Sequence, residues 1–179
     1  TPVVNYFCES WVNSGHNVLV INSTTKFPFF YYLLPKKIEQ YIESRVGFNL
    51  PNKFITKKKF VNQNGVRIYQ LPLFKVIPGS IYSDKDIKNH SIEISNKLRK
   101  INFIPDVALG HWINPQIKLL SLFKKIYNIK TSLVIHGDLN KRELNLLIDN
   151  FENIDRIGFR NLSILKDVEK KIKFDFKNK

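Results

Sequence analysis

Apolar positions along the chain alternate between a helical period and short unbroken runs. Val4, Phe7, Cys8 and Trp11 recur at i, i+3, i+4 and i+7, which predicts an amphipathic helix closed by Gly15-His16. The run 18–21 that follows reads as a strand. The runs 54–61 and 66–73 flank Gln63-Asn64-Gly65, and an Asn-Gly pair between strand-like runs predicts a hairpin. Ser83 and Asp86 resemble a capping box opening a helix with Ile87, Ile94, Leu98 and Ile101 on one stripe. Asn140 and Glu143 open another, bearing Leu144, Leu147, Ile148 and Phe151. A last strand, 154–159, leads into a helix over 161–172 carrying Leu162, Leu165, Val168 and Ile172.

Between these lie two apolar runs that each end in a histidine. Pro105-Asp106-Val107-Ala108-Leu109-Gly110-His111-Trp112 is followed by Asn114-Pro115, a suitable helix start, and then by Thr131-Ser132-Leu133-Val134-Ile135-His136-Gly137-Asp138. Runs without alternation suit strands buried on both faces of a parallel sheet, with 115–127 as the crossover helix. The fold class expected from the whole pattern is α/β: a single Rossmann-like, doubly wound, mostly parallel sheet with helices on both faces, plus one β-hairpin. Ligands of such sheets bind beyond the carboxyl ends of the strands, so His111 and His136 are expected to face the site. If their strands are neighbours, the imidazoles should lie on the order of 5 to 10 Å apart. A leading strand, normally central in such a sheet, is absent before the first helix. The segment 173–176 or a neighbouring chain is a candidate for its place.

The 179 residues suffice for one domain with a sizeable core, and the 43% hydrophobic and 25% charged composition is that of a globular protein. A single cysteine, Cys8, cannot form an internal disulfide, and no apolar run reaches the ~20 residues of a membrane-spanning helix. With no signal peptide in view, the expected compartment is intracellular and reducing. The net charge of +14 calls for an anionic partner or surface. It admits a rival reading as a basic nucleic-acid-binding module, with aromatics interleaved among lysines over 53–60, but no nucleic-acid motif accompanies the charge. A nucleotide-binding epimerase or dehydrogenase lacks its GxGxxG or phosphate-loop motif here.

Several segments in order resemble one family. The helix ending in Ser14-Gly15-His16-Asn17, the Asn-Gly hairpin, the strand to His111-Trp112, Val134-Ile135-His136-Gly137-Asp138, and Ile154-Asp155-Arg156-Ile157-Gly158-Phe159-Arg160-Asn161 resemble the amino-terminal, acceptor-side domain of retaining GT-B glycosyltransferases of the family 4 type. The resemblance implies hexosyl transfer, with retention, from a nucleotide-sugar donor to a glycan or lipid-linked acceptor, as in polysaccharide biosynthesis. It also implies a cytoplasmic location, peripheral on the inner face of the cytoplasmic membrane. The family's glycine-rich phosphate loop and its carboxyl-terminal, nucleotide-sugar-binding half have no counterpart in the sequence, so little or no transferase activity is expected of the chain alone. By resemblance His136 is the catalytic-cleft histidine that hydrogen-bonds the donor sugar.

The remaining candidates for substrate binding are His111, Trp112, Asn114, Gly137, Asp138, Arg160 and Asn161. Trp112 would either stack on a sugar face or pack against the sheet. Arg160 and Asn161 would meet an anion at a helix start, or Asn161 would simply cap that helix. His111, His136 and Asp138 are acceptable metal ligands in type but lack a ligand-type spacing, and no metal or other cofactor is expected. Finally, Lys26-Phe27-Pro28-Phe29-Phe30-Tyr31-Tyr32-Leu33-Leu34-Pro35-Lys36-Lys37, followed by Ile38, Tyr41, Ile42 and Arg45 at helical spacing, describes an amphipathic element. Phe27, Phe29, Phe30, Lys36 and Lys37 would meet an anionic membrane surface, or the aromatic segment 27–34 would be buried under the rest of the domain; no nucleic-acid partner is expected.

Overall fold

The computed structural model describes residues 2–46, 59–172 and 176. The chain divides into two compact units, 1–80 and 81–179. Parallel strands gather in small sheets with helices between them, an α/β arrangement.

In the first unit, α1 (Pro2–Asn13) ends at Gly15, which adopts a positive φ of 85° and lets His16 N–H return to the Trp11 carbonyl. Strand β1 (Leu19–Asn22) pairs in parallel with β4 (Val66–Gln70), and β3 (Lys59–Gln63) pairs antiparallel with β4. The β3–β4 turn is the expected hairpin: Asn64 and Gly65 both have positive φ, 49° and 77°, matching the twist of the flanking strands. The expected strand 66–73 stops at Gln70; after Pro72 the chain resumes as β5 (Leu73–Phe74), parallel to β2 (Thr25–Lys26). Between them lie a 3-10 turn, Phe29–Leu33, and α2 (Lys36–Val46). The expected strand residues 54–58, and most of the lysine–aromatic segment 53–60, lie outside the described residues.

The second unit starts with α3 (Asp84–Lys100). Its Ser83 side chain accepts the Asp86 N–H at 3.1 Å and donates to the Asp86 carboxylate, a side-chain cap without the reciprocal carboxylate-to-backbone bond of a full capping box. β6 (Val107–His111), α4 (Gln116–Tyr127), β7 (Lys130–Ile135), α5 (Lys141–Asn150), β8 (Arg156–Phe159) and α6 (Leu162–Ile172) follow. The strands form one parallel sheet in the order β6-β7-β8, each joined to the next through a helix. Asn140 and Glu143 complete their capping box in both directions.

Leu133, Ile135, Ile117, Leu147, Ile154 and Val168 are at most 1% exposed and form the centre of this unit's core. Two details differ from the sequence expectation. Burial alternates along β7, with Thr131, Leu133 and Ile135 buried and Ser132 and Val134 half-buried, instead of covering both faces. β6 is an edge among the described residues, which leaves Val107 61% and Leu109 40% exposed. Of the segment suggested for the absent strand, 173–175 lies outside the described residues. Phe176 belongs to no strand and is buried against Phe151 and Phe159.

Candidate functional site

The carboxyl ends of β6, β7 and β8 bring together His111, Trp112, His136 and Arg160. Parallel pairing in the register His111↔Val134 carries the two histidines to the same rim of the sheet. There Nδ1 of His111 and Nε2 of His136 are 2.7 Å apart, a hydrogen bond in which one ring nitrogen donates and the other accepts. The ring centroids lie 5.0 Å apart.

Burial lowers the pKa of His111 from its ordinary value, and a charge on His136 would lower it further. Burial also lowers that of His136, with the Arg160 guanidinium adding repulsion. Both effects favour the neutral pair at neutral pH, in which one imidazole N–H donates to the other ring's bare nitrogen.

Strand and helix approach closely beneath this rim. A Cβ on Gly110 would lie 2.8 Å from Leu120 Cδ1 and 3.0 Å from Gln116 Cβ, so α4 packs closely on β6 one residue before His111 and a side chain there would force both neighbours to shift. The sequence signal was present as a glycine inside an apolar strand, a pattern that marks close backbone approach. Trp112 then turns with φ 70°, in the left-handed region where a bulky residue is an outlier, while its N–H still bonds the Val134 carbonyl at 2.9 Å. Its ring lies 5.1 Å from that of His136 and remains 55% exposed, so Trp112 is a wall of the rim and is not packed into the core.

The other candidates take varied positions. Arg160 is exposed and anchored by its N–H to the Ile135 carbonyl. Asn161 caps α6: its Oδ1 accepts the Ile164 N–H at 3.0 Å and the Ser163 hydroxyl at 2.8 Å, which commits that oxygen to the helix. Asn114 precedes a cis peptide to Pro115, and its Oδ1 is buried without a hydrogen-bond partner among the described residues. Asp138 is exposed in the loop before α5. A Cβ on Gly137 would meet the Trp112 ring at 3.6 Å, an ordinary contact, so close packing does not demand glycine there.

A cluster that the sequence reading did not single out fastens the opposite end of the sheet. Asp155 accepts from Lys124 at 2.9 Å, from the Thr131 N–H at 2.8 Å and from the Thr131 hydroxyl at 3.1 Å. The Lys124 bond first, then the Thr131 N–H, hold its pKa down to about 2. Asp, Thr and Lys scattered over three elements carry no local pattern that could have announced it.

Among the described residues, no group of three or more histidine, cysteine or acidic side chains is arranged to hold a metal ion. A groove of 310 Å³ runs between β8 and α6, lined by Ile157, Phe159, Leu162, Leu165 and Phe176, with Asn161 at its edge. It is apolar and lacks the histidines. No known protein family matches the chain, and no curated protein is similar to it.

Proposed function

We propose that the β6-β7-β8 rim is one wall of a sugar-binding cleft and that the chain is the acceptor-side half of a retaining, nucleotide-sugar-dependent glycosyltransferase. The observation that carries this reading is the hydrogen-bonded His111–His136 pair against the partly exposed Trp112 ring. Neutral imidazoles offer both donors and acceptors, which suits sugar hydroxyls, while an exposed aromatic face suits the apolar face of a pyranose. The Asn114 Oδ1 supports the reading too, since a buried acceptor without a donor is costly and a ligand hydroxyl would relieve it.

On this reading His136 hydrogen-bonds the donor sugar, with His111, Trp112, Asn114, Gly137 and Asp138 around donor and acceptor. Arg160 and the α6 start with Asn161 lie towards the diphosphate. Transfer breaks the bond from the anomeric carbon to the diphosphate oxygen, which leaves with the electron pair, and forms one to the acceptor oxygen on the same face, the acceptor's hydroxyl proton passing to the departing diphosphate. Charge on the leaving nucleoside diphosphate has to be met by preorganised donors and cations, of which Arg160 is the one this rim supplies. The remaining donors, and the nucleotide contacts, belong on this reading to a second, carboxyl-terminal domain. No metal or other cofactor is assigned. The finer fold assignment, one doubly wound sheet, is part of the same proposal; the parallel pairing of β1 with β4 and the parallel order β6-β7-β8 support it.

Ring resonances of His111, His136 and Trp112 in the 179-residue chain test the proposal by NMR. Methyl glycosides and a panel of nucleotide sugars should shift all three with about millimolar affinity. His136→Ala should remove the response of Trp112. Ring resonances unmoved by every sugar, in a folded protein, would refute the assignment.

A further inference from the structure

We propose that the 3-10 turn Phe29–Leu33, with the first turns of α2, is a docking surface for an anionic lipid bilayer. Five consecutive large apolar or aromatic residues make up the turn, and none of them is buried. The burial around it sorts the side chains by direction. Phe27 is 1% exposed, Tyr31 packs its ring 5.5 Å from it, and the Tyr32 hydroxyl accepts the Phe27 N–H. Those three tie the turn to its own unit and correct the expectation that Phe27 meets the membrane: its ring is in the interior. Phe29, Phe30 and Leu33 remain 67%, 56% and 67% exposed. Positions three apart eclipse one another in a 3-10 helix, so Phe30 and Leu33 share a side.

Cations flank the apolar tip. Lys26, Lys36 and Lys37 are exposed on either side of the turn. Further along α2, Ile38 and Tyr41 are 46% and 60% exposed, and Arg45 sits 5.4 Å over the Tyr41 ring. Lysine and arginine outnumber the carboxylates of the segment, Glu39 and Glu43, both half-buried. Exposed aromatics ringed by lysine match the interfacial zone of a bilayer, where rings insert at headgroup depth and ammonium groups meet lipid phosphate. Charge complementarity selects this occupant. A second copy would bring lysines against lysines on a chain of net charge +14, and a nucleic acid, though its bases stack on aromatic rings, would leave Leu33 and Ile38 without a hydrocarbon partner. Among the described residues no helix is long and apolar enough to cross a membrane. The proposal uses no residue of the histidine rim, so its failure and that of the sugar-transfer reading are distinguishable.

Co-sedimentation of the whole chain with phosphatidylcholine vesicles, with and without phosphatidylglycerol, tests it. Binding should require phosphatidylglycerol. Because a basic protein adheres to anionic lipid through charge alone, the deciding variant is Phe29→Ser/Phe30→Ser/Leu33→Ser, which keeps every lysine and should weaken binding at least tenfold with an unchanged circular dichroism spectrum. A Phe30→Trp probe in a Trp11→Phe/Trp112→Phe background reports insertion directly: its emission should shift to the blue and be quenched by brominated acyl chains. Wild-type-like vesicle binding by the triple variant, or an indole emission from the Phe30→Trp probe that is blind to brominated lipid, would overturn the proposal. So would a dimer without lipid that the triple substitution dissolves, which would assign the patch to a second copy.

Discussion

Removing the Asp155 carboxylate should loosen the amino-terminal end of the β6-β7-β8 sheet by an amount that depends on the replacement and on pH. Its pKa falls from 3.8 to about 2, and at about 1.4 kcal/mol per unit this bounds the charge contribution near ~2.5 kcal/mol. The carboxylate is 22% exposed and Lys124 34%, so solvent screening reduces that to about 1 kcal/mol, the expected loss for Asp155→Asn, which retains an acceptor oxygen. Asp155→Ala also strands the Thr131 N–H, on a residue 0% exposed, and a buried unsatisfied donor costs a further ~1–3 kcal/mol. The pKa is depressed on folding, so the charge contribution is complete above the unfolded value of 3.8 and lost as pH falls towards about 2. Urea titrations at pH 7, 4 and 3, followed by Trp112 fluorescence in a Trp11→Phe background, read this unit by itself. The wild-type lead over Asp155→Asn should narrow with falling pH. A lead independent of pH, or an alanine variant no weaker than the asparagine one, would refute the clamp.

Two further outcomes bear on the rim. Gly110→Ala places a methyl group against Leu120 and Gln116, and should destabilise the second unit by about 1–3 kcal/mol in the same urea assay; an unchanged midpoint would contradict the close strand–helix approach. Both rim histidines should titrate below the ordinary 6.5, as a coupled pair in NMR. Because their folded pKa values are lowered, their neutral forms favour the fold fully above pH 6.5, and that advantage is lost as pH falls through the lowered values. Arg160→Ala should move His136 upward, and a His136 value above 6.5 in the intact protein would sink this electrostatic account.

Much of the local structure was legible in the residues. Asn64-Gly65 demanded positive φ twice and thereby specified its hairpin turn. The Asn140–Glu143 box marked the start of α5, and the apolar runs ending in His111 and His136 marked two strands and the helix between them. These are properties of a few neighbouring residues, whose backbone preferences act before any long-range contact forms. Tertiary structure alone decided the rest. Pairing register brought two histidines 25 positions apart to a 2.7 Å hydrogen bond. Sheet position made β6 an edge among the described residues, with Val107 and Leu109 exposed where an unbroken apolar run promised burial. Packing turned Phe27 inward and left Phe29, Phe30 and Leu33 outside, although all four look alike in sequence. Burial and cross-strand contact depend on what distant segments bring to a position, and no local pattern of residue types records that.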